Sequence, residues 1–205
     1  MYRKFISYLL SAILILTLSC GCSAQEEAKE PAHSSPGSAV EGADNSSHNA
    51  VTSSQEEDTP DTVTFTAQDM EGNTVSSDVL SGTRLTMINV WATYCNPCLR
   101  EMPGLGELAG EYEATDFQLI GIVSDVQEGA KESVIEKAES LIEQTNAAYP
   151  HLLLNESLYN ALLTEVTAVP TTFFLDKEGR ILDTVVGSMA KEDWKEIIDG
   201  LLEEL

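Results

Sequence analysis

Apolar side chains are distributed in two very different ways along this chain. Residues 5–18 form one extended apolar run dominated by Leu and Ile, whereas residues 25–60 carry no aromatic residue and no Leu, Ile or Met. So little apolar surface cannot offset chain entropy, which predicts a disordered linker over 25–60. From residue 61 onward the pattern breaks into short strand-like and longer helix-like periods. Val63 and Phe65 alternate with polar residues, and Gly72-Asn73 makes a turn before Thr74-Val75, which predicts an opening hairpin. Residues 85–91 are nearly continuously apolar, as in a strand buried on both faces. A helix is predicted over about 95–113, a second buried strand over 117–123 and a further helix over 131–144. In that last segment Val134, Ala138, Leu141 and Ile142 recur at helical spacing, and its Lys/Glu pattern reads as an ordinary solvated face.

Residues 151–154 read as a short strand and 157–164 as a short helix. A strand over 171–175, a turn at Lys177-Glu178-Gly179-Arg180 and a strand over 181–186 predict a hairpin. Trp194, Ile197, Ile198, Leu201, Leu202 and Leu205 then form the apolar stripe of a terminal helix, so Trp194 is read as core. Strands and helices in this order describe an α/β domain over 61–205, a central mixed sheet with helices on both faces. No internal repeat is visible.

Composition narrows the function. The 205 residues are 42% hydrophobic, enough for a sizeable core, but 34 acidic residues face 11 basic ones for a net charge of −23. Such a surface repels phosphate and excludes nucleic acid as a partner. Four cysteines and three histidines are too few for a disulfide-stapled scaffold or a multi-zinc protein. His33 and His48 fall in the linker and read as solvated. Arg3 and Lys4 precede the apolar run, which ends in Ser19-Cys20-Gly21-Cys22-Ser23-Ala24. A basic start, an apolar centre and a small-residue exit make residues 1–24 a secretory signal, too short at its apolar centre for a comfortable membrane span. The junction resembles the lipobox of bacterial lipoproteins. Cys20, at the edge of the apolar run, is favoured as the lipidated residue, with Cys22 after Gly21 as the alternative. The linker would then hold the domain on the order of 35 Å from its anchor.

The chemistry is concentrated in Trp91-Ala92-Thr93-Tyr94-Cys95-Asn96-Pro97-Cys98-Leu99-Arg100-Glu101-Met102-Pro103. Two cysteines separated by two residues, between a buried strand and a helix, form a redox dithiol motif. At a helix N-terminus the unpaired N–H groups and the dipole favour a thiolate. Cys95 is therefore the attacking sulfur, and Cys98, one turn further in, resolves the mixed disulfide. Pro97 is tolerated because the first helical turn does not need its N–H. A zinc site lacks a second cysteine pair, and covalent haem attachment would need His where Leu99 stands. No cofactor is implied.

The segment from Trp91 to Pro103 resembles the thioredoxin-like family, in particular its membrane-tethered TlpA/ResA branch of extracytoplasmic thiol–disulfide oxidoreductases. Val169-Pro170-Thr171-Thr172-Phe173-Phe174-Leu175-Asp176, followed by Gly179-Arg180-Ile181, is similar to that family's strand with a cis-proline and the hairpin after it. The resemblance implies a three-layer sandwich with an inserted helix at 131–144, and a cis Pro170 beside Cys95. It also implies that the Val169 backbone binds a substrate chain, with Trp91 and Pro97 as supporting residues. Thioredoxin has a buried aspartate where Asn89 stands; the ResA-like branch carries a glutamate at the place of Glu101, which would tune or deprotonate Cys98. The implied activity is reduction of protein disulfides, with apocytochrome c among the candidate substrates. A membrane electron-transfer protein would then re-reduce the pair, and the domain would face outside the cytoplasm on its lipid anchor. Two rivals stay open: a thiol peroxidase, although Ala92 occupies the usual Thr position and Thr93 is one residue late, and a copper-binding lipoprotein using His151 with the cysteines.

Overall fold

The computed structural model describes residues 62–205. The predicted signal segment at 1–24 with Cys20 and Cys22, and the predicted linker over 25–60, lie outside the described residues. A small antiparallel hairpin, β1 (Thr66–Gln68) and β2 (Thr74–Ser76), precedes a 3₁₀ turn over Ser77–Gly82. The central sheet is formed by β3 (Leu85–Trp91), β4 (Phe117–Gln127), β5 (His151–Leu154), β6 (Thr171–Asp176) and β7 (Ile181–Val186). Its order is β5-β4-β3-β6-β7, with β3, β4 and β5 parallel and β6 and β7 antiparallel to their neighbours. Helices α1 (Asn96–Ala109), α2 (Glu132–Gln144), α3 (Glu156–Leu158) and α4 (Lys191–Glu204) complete the domain, α3 continuing into a π-helical turn over Tyr159–Leu163.

The predicted three-layer arrangement follows from β3. All seven of its residues are buried, and successive side chains point to opposite faces. Leu85, Met87 and Trp91 join Leu105 and Leu108 of α1, Ala138 of α2, and Trp194 and Ile198 of α4 in one core. Ile88 and Val90 join Phe65, Leu80, Leu158 and Leu162 in the other. At β3 the sheet is therefore covered on both faces, which is why this strand reads as a nearly unbroken apolar run, whereas the edge strand β7 is largely exposed.

Several boundaries differ from the sequence reading, each for a local reason. Val63 and Phe65 do not form the first hairpin strand, which starts at Thr66; their side chains enter the core, while Val63 N–H bonds Gly179 O at 2.8 Å. Helix α1 stops at Ala109 rather than 113, because Gly110 tightens the last turn with its N–H on Glu107 O. Strand β4 runs four residues past Val123, to Gln127. The predicted helix over 157–164 is instead α3 and the π-helical turn. The Lys177–Arg180 turn is closed by buried Asp176, which accepts from the N–H groups of Glu178 and Arg180, with Gly179 at φ +83°.

Gly121 on β4 is fixed by packing. A Cβ there would lie 2.2 Å from Nδ1 of His151, the residue beside it on β5. We expect Gly121→Ala to cost about 2 kcal/mol and lower the melting temperature by about 6 °C in a thermal denaturation experiment. An unchanged melting temperature would mean that the β4–β5 contact is not tight.

Candidate active site

The chain leaves β3 at Trp91 and turns at once: Cys95 N–H bonds Ala92 O at 3.0 Å. Cys95 is the N-cap of α1, and its Sγ accepts the Cys98 N–H at 3.2 Å. Asn96 and Pro97 occupy the first helical turn, where the missing proline N–H costs nothing. The two sulfurs are joined in a disulfide with the Cα atoms 5.3 Å apart. Cys95 retains 6% of its surface and Cys98 none, so only the first sulfur can be approached from outside. Across from it, Val169 O lies 3.5 Å from Cys95 Sγ, and the Val169–Pro170 peptide bond is cis, with Pro170 buried. The fold thus joins two segments 74 residues apart in sequence at one sulfur atom.

Glu101 lies one helical turn after Cys98, on the same side of α1, and retains 6% of its surface. It is no surface carboxylate. Oε1 accepts from Asn89 Nδ2 at 3.2 Å, and Oε2 accepts from Met189 N–H at 3.1 Å and Trp194 Nε1–H at 3.3 Å. Burial pushes its pKa above the ordinary carboxylate range, a stronger effect than the opposing pull of the Met189, Asn89 and Trp194 donors. Asn89 also donates to Thr172 Oγ1 at 3.0 Å, while its own Oδ1 has no partner among the described residues. Trp194 is core as predicted, and in addition its indole N–H holds the carboxylate.

Trp91 is fully buried and donates its Nε1–H to His151 Nδ1 at 3.1 Å. That nitrogen is therefore the acceptor, and Nε2 carries the proton toward Ala147 O at 3.0 Å. Burial pushes the His151 pKa down to about 4, so the ring is neutral at physiological pH. Both ring nitrogens are committed, which removes the ligand that the copper-binding reading needed. Among the described residues no group of three or more His, Cys, Asp and Glu side chains is gathered to hold a metal ion.

The turn before Cys95 is held by groups that the sequence did not reveal. Ser124 Oγ donates to Trp91 O at 2.9 Å. Asp125 accepts from Thr93 N–H at 2.9 Å and from Thr93 Oγ1 at 2.6 Å, and Lys137 of α2 donates to the same hydroxyl at 3.0 Å. Helix α2 therefore reaches the active-site turn through one of its solvated residues. Tyr94, beside Cys95, is 72% exposed and edges a cleft of about 250 Å³ that continues past Val169. An exposed aromatic beside a redox cysteine was a readable signal; Ser124 and Asp125 carried none, because their partners come from another strand's end.

This geometry is that of a redox dithiol: one accessible sulfur at a helix N-terminus, one enclosed sulfur behind it and a buried carboxyl within a turn. The ResA thiol-disulfide oxidoreductase of Bacillus cereus is 26% identical over 141 residues, covering 69% of this chain and 74% of that protein. Its namesake in Geobacillus thermodenitrificans is 29% identical over 138 residues, covering 67% and 74%. Among solved structures, a thioredoxin-family thiol:disulfide interchange protein from Chlorobium tepidum matches with a TM-score of 0.60 at 24% identity, over 70% of this chain and 96% of that one. The exposed lipoprotein thioredoxin of Streptococcus pneumoniae matches at 0.54 and 24%, over 67% and 98%. These structural matches carry the thioredoxin-like fold alone. Among the described residues no helix is long and apolar enough to cross a membrane. The AhpC/TSA family model matches residues 58–184, from just ahead of the described domain almost to the end of β7 and across both halves of the dithiol site, and the chain belongs to that family.

Proposed function

We propose that this chain is an extracytoplasmic protein-disulfide reductase, tethered to the membrane by lipid on Cys20 or Cys22. The observation that carries the reading is the surroundings of Cys95 Sγ: one N–H donor, from Cys98, and a carbonyl oxygen, from Val169. Among the described residues no cationic side chain hydrogen-bonds either sulfur. A dithiol becomes a strong oxidant when its reduced thiolate form is specially stabilised. Here a single N–H and the helix terminus make Cys95 nucleophilic without that extra stabilisation, which favours electron donation.

In the forward reaction the Cys95 thiolate attacks one sulfur of a substrate disulfide. A Cys95–substrate bond forms, the substrate S–S bond breaks, and the departing sulfur takes a proton. The Cys98 thiol then gives its proton to Glu101 and attacks Cys95 Sγ. The Cys95–Cys98 disulfide forms, the Cys95–substrate bond breaks, the second substrate sulfur leaves as a thiolate that takes a proton from water, and two electrons have passed to the substrate. Val169 and Pro170 border the attacking sulfur on the side where the substrate chain lies, and Trp91 is the fixed end of β3 from which the turn departs. Apocytochrome c is a candidate substrate, and a membrane electron-transfer protein returns the pair to its dithiol form.

The peroxidase reading is disfavoured by Thr93, whose hydroxyl is tied to Asp125 and Lys137. The reductase reading is tested by equilibrating the Cys95–Cys98 couple with a glutathione buffer. We expect a potential near that of thioredoxin, about −270 mV. A value near that of DsbA, about −120 mV, would reverse the assigned direction.

A further inference from the structure

Two clefts open at the same edge of the sheet and share a wall. The first, of about 250 Å³, starts at Tyr94 and Val169, which flank Cys95, and passes Ser124 to reach Leu154 and Tyr159. The second, of about 510 Å³, has Leu154 and Tyr159 in its wall and extends past Gln127 to Glu128 and Glu156. The topology explains their alignment. Strands β3, β4 and β5 lie side by side and parallel, so Cys95, the Ser124–Gln127 end of β4 and Leu154 follow one another across the sheet's C-terminal edge. Two strand spacings are roughly 10 Å, a distance that an extended polypeptide covers in about three residues.

The two ends differ in chemistry. The first cleft has Tyr94, Val166 and Val169 among its walls, with Ser124 and Thr167 as its polar residues and Tyr159 at the wall it shares with the second. At the far end stand two carboxylates, and among the described residues no Lys or Arg lines either cleft. Glu128 is held in place by Gln68 N–H at 2.7 Å and Asn155 Nδ2 at 2.9 Å, while Glu156 is exposed in the first turn of α3. An acidic end fixed about three residues from an attacking sulfur favours one kind of chain and repels its opposite.

Resting on the reductase reading, we infer that the two clefts form one substrate channel that selects polypeptides with Lys or Arg about three residues from the attacked cysteine. The occupant is an extended, cationic segment of a disulfide-bonded protein. Its apolar neighbours to the cysteine lie along Tyr94 and Tyr159, and its basic side chain reaches Glu156 and Glu128.

The experiment uses the full chain in its reduced form and two synthetic disulfide-linked peptides. They differ only in carrying Lys or Glu at the third residue on either side of each cysteine. We expect the Lys peptide to be reduced about fivefold faster, by second-order rate constant at low salt, as for one or two partly exposed charge pairs. Glu156→Gln should bring that ratio to about twofold, and Tyr159→Ala should slow both peptides. Glu203→Gln, an exposed acid of α4 far along the sequence from the channel, should leave the ratio unchanged, which separates local selection from the chain's overall negative charge. Equal rates for the two peptides, or an equal loss of preference in Glu203→Gln, would overturn the channel while leaving the reductase intact. If neither peptide is reduced, the reductase reading falls and the channel with it.

Discussion

Cys98→Ser converts the enzyme into a covalent trap: turnover falls at least about 10³-fold while a disulfide-linked complex with the substrate accumulates. The expectation rests on the inequality of the two sulfurs. Cys95 keeps 6% of its surface and sits where the helix N-terminus and the Cys98 N–H meet its sulfur; Cys98 has no accessible surface at all. Of the two described cysteines, Cys95 is the one an incoming disulfide can meet, and Cys98, three residues on, is the one expected to take Cys95 back from the mixed disulfide. Removing the second sulfur therefore leaves the first step intact and blocks the next. Cys95→Ser loses both steps and forms no adduct. Non-reducing electrophoresis and mass measurement of each variant after mixing with a disulfide substrate read the outcome directly. An adduct in Cys95→Ser and none in Cys98→Ser would invert the assignment of the two cysteines.

What was legible in the sequence was what depends on short-range pattern. Leu85–Trp91 had to be an inner strand because nothing but apolar contact on both faces tolerates such a run, and Asn89 is the informative exception. The Cys95–Cys98 spacing at a strand-to-helix junction was enough to indicate the chemistry. What was not legible depends on where distant segments arrive. The strand predicted over 117–123 continues through Ser124 and Asp125 to Gln127, and these two side chains bond the Trp91 carbonyl and Thr93. Glu101 could be placed beside the dithiol from helical spacing, but its state is set by Asn89, Met189 and Trp194, which lie 12, 88 and 93 residues away. Trp194 showed a helical stripe and so read as core alone, because periodicity reports burial and cannot report a hydrogen bond.

Asn89 and Glu101 together answer the question of the missing aspartate. The charge found at that strand position in thioredoxin has in effect moved to α1, and the amide left behind can bond either form of it. Asn89 Nδ2 donates to Glu101 Oε1, an arrangement that suits an ionised carboxylate; for a protonated one, the unpartnered Oδ1 is available to accept after a rotation of the amide. If Glu101 serves as the base proposed above, such a neighbour suits both of its states, since a fixed donor would oppose one of them.

Glu101→Gln therefore separates catalysis from folding. Burial raises the Glu101 pKa above its ordinary value, so the folded chain holds that proton more tightly than the unfolded chain. The resulting stability is fully present below the unfolded carboxyl pKa and is lost as pH rises through the folded one. Gln cannot ionise. Its oxygen can still accept from Met189 and Trp194, and its NH₂ can donate to a rotated Asn89. The variant should thus fold, and in urea titrations its stability relative to wild type should increase from pH 4 to pH 8. The resolving step should instead slow by about 10²-fold at neutral pH, because the Cys98 thiol has lost its proton acceptor. Its pH–rate profile should follow the thiol alone, without the limb contributed by the carboxyl. A wild-type pH–rate profile in Glu101→Gln would reduce Glu101 to a structural anchor for Met189 and Trp194. A variant slow in resolution yet equally or more stable at pH 8 would instead identify this buried carboxyl as the base, retained at a cost to the fold.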